Sequence, residues 1–67
     1  MYRIEHLHNL VHHKTSDSTF DTKDSARDAL AKIFSHCYGT YPIVARNEDS
    51  FTFRSKQTLH TLRVVEN

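Results

Sequence analysis

The sequence predicts a two-layer α+β fold in which one amphipathic helix packs on a mainly antiparallel sheet, in the order β-α-β-β-β. Apolar residues recur at helical spacing between residues 23 and 38. The segments on either side alternate apolar and polar residues, as half-buried strands do. A length of 67 residues allows one small domain, 1–67, with a thin hydrophobic core.

The first strand is expected near the N-terminus, where tyrosine and isoleucine alternate with charged residues. Its alternation places four side chains on one face, namely Tyr2, Ile4, His6 and His8. The polar stretch that follows is rich in Ser, Thr and Asp, whose side chains compete for backbone hydrogen bonds and favour turns. We therefore expect a mobile loop at 12–20.

The helix is expected from about Lys23 to Tyr38. One face of a 3.6-residue period collects its apolar residues, which are Ala26, Ala29, Leu30, Ile33, Phe34 and Cys37. Because Cys37 belongs to this stripe, it is expected to be a small buried hydrophobe and not a nucleophile. Gly39 follows where a left-handed C-terminal cap is expected.

Three further strands are expected after Gly39. Ile43 and Val44 begin the first, Phe51 and Phe53 alternate with polar residues in the second, and the third runs through residues 59–65. Turn-forming residues separate them at 47–50 and 55–57. These strands form an antiparallel meander, and the first strand fits either beside the last one or at the sheet edge.

Composition excludes several classes of function. A net charge of +1 gives no bulk attraction to an acidic partner. One glycine cannot build a phosphate-binding loop, and one cysteine cannot form an internal disulfide. No signal peptide is recognisable, and no apolar run approaches the roughly 20 residues of a membrane span. We expect a cytoplasmic protein that is not an enzyme, has no catalytic residues and needs no cofactor.

Six histidines raise the question of a metal site. His6 and His8 project from one face of the first strand, a spacing that can place two imidazoles on one ion. Either His60 on the last strand, or His36 and Cys37 at the helix end, would complete the site. A second cysteine and a CxxC pair are both missing from the sequence. We therefore interpret the histidines as separate side chains and predict no metal site.

The open face of the sheet is the predicted interaction surface. Arg46, Arg54 and Arg63 are expected to align there across neighbouring strands. The leading hypothesis is a protein-interaction module that binds a partner protein, because tyrosine and arginine are enriched at interface hot spots. Its predicted contact residues are Tyr41, Arg46, Arg54, Leu59 and Arg63.

Two alternatives use the same surface. Apolar side chains beyond what one helix can cover also fit a homodimer. A nucleic-acid-binding module would instead place a basic stripe against phosphates. Its predicted contact residues are Arg46, Arg54, Lys56 and Arg63.

The layout of a strand, a polar loop, one amphipathic helix and a basic hairpin-rich tail resembles several very small proteins encoded by phages and mobile elements. Some of those proteins inhibit host defence enzymes by docking onto them. The resemblance lies in size and element order, and it implies a non-catalytic inhibitor or regulator that acts by binding a protein.

Overall fold

The computed structural model describes residues 1–66 and shows one helix packed on a five-stranded antiparallel sheet. The predicted two-layer α+β class is confirmed. Asn67, the last residue of the predicted domain, lies outside the described residues. The elements are β1 Tyr2–His8, β2 Val11–Thr15, α1 Lys23–Ile33 with a π-helical continuation Phe34–Tyr38, β3 Ile43–Asn47, β4 Ser50–Ser55 and β5 Thr58–Glu66.

The strands are arranged in the order β2-β1-β5-β4-β3, and all neighbours are antiparallel. The meander of β3, β4 and β5 is therefore as predicted, with turns at the expected places. Of the two positions that the sequence left open for the first strand, β1 takes the one beside the last strand. Strands β2 and β3 form the two edges of the sheet.

The sheet contains one strand more than predicted, because β2 occupies the first part of the predicted loop at 12–20. A two-residue hairpin loop joins β1 to β2. Its residues Asn9 and Leu10 both have positive φ, at 52° and 67°, as a type I′ turn requires. Four of the five β2 residues are exposed, so no alternation of apolar residues marks this strand in the sequence.

The second part of the predicted loop is also tied to β1. Ser16 donates its backbone N–H to the Ile4 carbonyl at 2.8 Å. Tyr2 and Phe20 exchange two backbone hydrogen bonds of 2.9 Å each. The chain from β2 to the helix is thus a continuation of the sheet edge.

The helix begins and ends close to the predicted residues. Thr22 caps it, and its hydroxyl oxygen accepts a hydrogen bond from the Ser25 backbone N–H at 3.1 Å. Ala26, Leu30 and Phe34 are buried against the sheet, as the apolar stripe predicts. Neither helical segment in residues 1–66 is long and apolar enough to cross a membrane.

Two expectations at the helix end are wrong. The last turn is π-helical, and its wider i to i+5 repeat leaves Cys37 exposed while the neighbouring Tyr38 packs against the core. Gly39 has φ −61° and not the left-handed conformation. A Cβ at Gly39 would instead lie 2.7 Å from the Ser35 carbonyl oxygen, so glycine is needed for close approach of the backbone.

The core lies between the helix and the central strands. Its buried residues are Ile4, Leu30, Phe34, Phe53 and Leu62. The Phe34 ring stacks on Phe51 with 4.7 Å between centroids, so the face of β4 that carries Phe51 and Phe53 packs against the helix. On the opposite, open face Leu7 and Thr61 are also buried, which leaves less apolar surface there than the sequence suggests.

Candidate functional site

The three arginines predicted to form one stripe lie on both faces of the sheet. Arg46 pairs with Phe51, which packs against the helix, and directly paired residues share a face. A bulge between Ile43 and Ala45 inserts one residue into β3 and so reverses the face on which the following residues lie. Arg54 and Arg63 lie on the open face, so the expected alignment does not form.

The two open-face arginines are also separated from each other. Arg54 pairs with Leu59, whereas Arg63 pairs with Ser50, a distance of about 13 Å along β4 at roughly 3.3 Å per residue. The Arg63 Nε donates a hydrogen bond to Glu5 Oε1 at 2.6 Å, which offsets its charge. Lys56, in the β4–β5 turn, extends the positive charge only at the Arg54 end.

Strand β3 is an exposed sheet edge. All five of its residues are exposed, and β4 is its single neighbour in the described part of the chain. Val44 is 54% exposed and Ile43 44% exposed, and Tyr41 just before the strand is 38% exposed. Arg46 has no ion-pair partner within residues 1–66. We call Tyr41, Ile43, Val44 and Arg46 the β3 edge.

The opposite edge, β2, has a different character. Its residues are polar apart from Val11, and it carries Lys14, a residue type that discourages pairing at sheet edges. A bulge interrupts its pairing opposite His6 and Leu7. In β3 the bulge is confined to the start, and the segment 45–47 pairs with β4 in regular register.

A row of aromatic rings crosses the helix side of the sheet. Tyr41 stacks on Phe53 with 5.8 Å between centroids, and Phe53 stacks on His60 at 5.2 Å. His60 then meets His8 edge-on at 4.7 Å, and His8 stacks on His13 at 4.0 Å. The row forms because the sheet register pairs Phe53 with His60 and His60 with His8.

His6 completes a group of three imidazoles on the central strands. It lies two residues before His8 on β1, on the same face, and its Nε2 is 3.0 Å from His60 Nδ1. One potential ligand atom from each of the three residues lies within 4.8 Å of the others. All three side chains are half-buried. We call His6, His8 and His60 the histidine cluster.

Two members of the cluster, His6 and His60, favour the neutral imidazole. Burial, followed by the neighbouring imidazoles and Lys14, lowers the pKa of His6 to about 4. Burial, followed by His8 and His13, also lowers the pKa of His60. Neutral imidazole is the form that binds metal ions, so protons compete little for the nitrogens of His6 and His60 at neutral pH.

A cavity of about 220 Å³ lies beside the cluster. It is lined by His6 and Lys14 on the sheet and by Tyr38 of the π-helical segment, among others. The His6 ring lies 6.1 Å from that of Tyr38. The helix end therefore leaves space next to the His6 imidazole instead of covering it completely.

The sequence identified the three members of the cluster but not their assembly. His6 and His8 share a strand face, whereas His60 joins them only because β5 pairs with β1. His13 falls within the predicted loop at 12–20, and no sequence signal indicates that it belongs to an edge strand. His12 and His36 are exposed and make no ring contact with the cluster in the described structure.

Comparison with known proteins gives no relative: no protein-family model, no curated protein and no solved structure matches this chain.

Proposed function

We propose that this chain is a small, non-enzymatic protein-interaction module of the cytoplasm that binds an extended segment of a partner protein along the β3 edge. The supporting observation is that all five residues of β3 are exposed and that, within residues 1–66, β4 is the one strand paired with it. An unpaired strand edge presents backbone N–H and C=O groups that an added strand can bind.

The side chains of the β3 edge indicate the chemistry of the partner segment. Ile43 and Val44 would contact apolar side chains, because contact removes exposed hydrocarbon from water. The guanidinium of Arg46, which has no ion-pair partner within residues 1–66, would pair with a carboxylate. The matching segment is therefore an extended strand that carries β-branched or aromatic residues and at least one acidic residue.

Binding of this kind would make the chain an inhibitor or regulator of its partner, as the resemblance to small phage and mobile-element proteins implies. Nucleic-acid binding is the alternative. It has less support, because Arg46 lies on the other face of the sheet from Arg54 and Arg63 and Glu5 binds Arg63.

A peptide selection tests the proposal and requires no identified partner protein. A displayed library of short random peptides is selected on the purified protein, and a selected peptide is then titrated into ¹⁵N-labelled protein. We expect apolar and acidic residues in the selected peptides, and the largest amide shifts at residues 43–47. Val44→Lys is expected to abolish binding, because an edge lysine opposes strand addition.

The control is Val11→Lys, which introduces the same charge at a 68% exposed valine of the other sheet edge and is expected to leave binding intact. Loss of binding in Val11→Lys but not in Val44→Lys would contradict the proposal. Light scattering gives a second check. A dimer that Val44→Lys dissociates would show that a second copy occupies the edge, in place of a partner segment.

A further inference from the structure

We infer that His6, His8 and His60 form a binding site for a divalent transition-metal ion such as Zn²⁺. The three imidazoles come from two paired central strands, and their candidate ligand atoms lie within 4.8 Å of one another. Zinc sites with three protein ligands leave a fourth position for water or a bound group, and a cavity of about 220 Å³ lined by His6 lies next to the cluster.

The distances between nitrogens are close to what a tetrahedral ion requires. Zinc–nitrogen bonds of about 2.0–2.1 Å place two ligand nitrogens about 3.3 Å apart. His6 Nε2 and His60 Nδ1 are already 3.0 Å apart. One nitrogen of His8 lies within 4.8 Å of a ring nitrogen of each of the other two residues, so this nitrogen needs to approach those two by at most about 1.5 Å, a movement within reach of a side-chain rotation.

The proton balance allows an ion to replace the present hydrogen bond between His6 and His60. One of His6 Nε2 and His60 Nδ1 now donates to the other. When both nitrogens bind the ion, the donating ring shifts its proton to its other nitrogen, and no net proton is released from a neutral ring.

Neighbouring rings limit the movement of the ligands. Phe53 stacks on His60 with 9° between ring planes, and His13 stacks on His8 with 13° between ring planes.

Lys14 acts against the ion, since its register partner is His6 and its ammonium repels a cation. Removal of the Lys14 charge should therefore strengthen metal binding.

The test is a titration of tag-free protein with Zn²⁺. Calorimetry and NMR of the imidazole nitrogens monitor the titration. We expect one ion per chain and ring ¹⁵N shifts at His6, His8 and His60. The exposed imidazoles of His12 and His36 should not shift. This arm uses the unaltered chain, so it does not depend on the folding of any variant.

Variants provide the second arm, with circular dichroism as the check that each one folds. His8→Gln and His60→Gln are each expected to weaken Zn²⁺ binding at least about tenfold. His36→Gln and His12→Gln are matched controls that should leave it unchanged, as should Val44→Lys at the β3 edge. Lys14→Gln is expected to strengthen it.

The inference is overturned if millimolar Zn²⁺ leaves the three cluster imidazoles unshifted, or if His36→Gln weakens binding as much as His60→Gln. Weakened binding in Lys14→Gln would also contradict it. Because the cluster and the β3 edge share no residue, failure of this test leaves the proposed protein interaction standing, and the reverse also holds.

Discussion

Gly39 shows how one missing side chain permits the helix to end where it does. Its φ of −61° is open to any residue, so conformational freedom is not the reason for glycine at this position. The reason is close approach, since a Cβ would lie 2.7 Å from the Ser35 carbonyl oxygen. That oxygen belongs to the backbone of the π-helical turn and cannot rotate away.

Gly39→Ala is therefore expected to lower the free energy of unfolding by about 1–3 kcal/mol, the usual cost of forcing extra atoms into a packed site. Urea denaturation followed by circular dichroism measures it. Thr40→Ala, at the exposed neighbouring residue, is the control and should change stability by at most about 0.5 kcal/mol. Equal stability of Gly39→Ala and the wild type would show that the turn relaxes at little cost.

The same turn shows a limit of sequence reasoning at the residue scale. A 3.6-residue period predicts every buried helix residue up to Phe34, because the chain follows that period up to this point. Beyond Phe34 the π-helical repeat is wider, so Tyr38 takes the inward place expected for Cys37. No sequence signal that we used distinguishes a π-helical end from an α-helical one.

At the scale of elements, ion pairs connect α1 to the β3–β4 turn. Arg27 Nε donates to Asp49 Oδ1 at 2.7 Å, and Lys23 Nζ lies 3.2 Å from Asp49 Oδ2. Arg27 also lies 3.3 Å from Glu48. The hydrogen bond from Arg27, followed by that from Lys23, lowers the pKa of Asp49 below its ordinary value, although partial burial opposes this.

Because the pKa of Asp49 is lowered in the folded protein, its contribution to the free energy of unfolding depends on pH in a definite direction. Below about pH 4 the unfolded chain protonates Asp49 more readily than the folded chain does. The contribution of Asp49 is therefore present at neutral pH and is lost as the pH falls through and below about 4. We expect Asp49→Asn to destabilise the protein at pH 7, and the difference from wild type to shrink progressively in acid.

Thermal denaturation of both proteins at pH 7 and at steps towards pH 3 measures this difference. Asp28→Asn is the matched control, because Asp28 is an exposed α1 carboxylate without an ion-pair partner in the described chain. It should show no such trend. A constant difference between Asp49→Asn and wild type across this range would exclude the Asp49 carboxylate as its source.

The predictability of each strand depends on how much of it is buried. Strands β4 and β5 were predicted because Phe51, Phe53 and Leu62 alternate with polar residues around the core. Strand β2 was missed because its solvent-exposed position imposes no alternation. In β3 the bulge after Ile43 reverses the alternation, so Arg46 could not be assigned to its face from spacing alone.

At the scale of the whole molecule, the histidine cluster depends on pairing between the first and last strands. His6 and His60 are separated by 54 residues, and sequence alone allowed β1 to lie beside β5 or at the edge. Only the first arrangement brings the imidazoles together. The ligand types were thus predictable from residue identity, whereas the site required the strand order.

The charge distribution of the whole molecule gives the last prediction. The chain has a net charge of +1 and carries its arginines on both faces of the sheet, so it should neutralise few phosphates at once. Its affinity for nucleic acid, and the dependence of that affinity on salt concentration, should therefore both be small. We expect no binding at micromolar concentrations to labelled single- or double-stranded DNA or RNA, measured by fluorescence polarisation at low and high salt. The control is the combined replacement of Arg46, Arg54 and Arg63 by glutamine. Binding by the wild type that weakens steeply with salt and disappears in this variant would favour the nucleic-acid alternative, since phosphate contacts alone explain both effects.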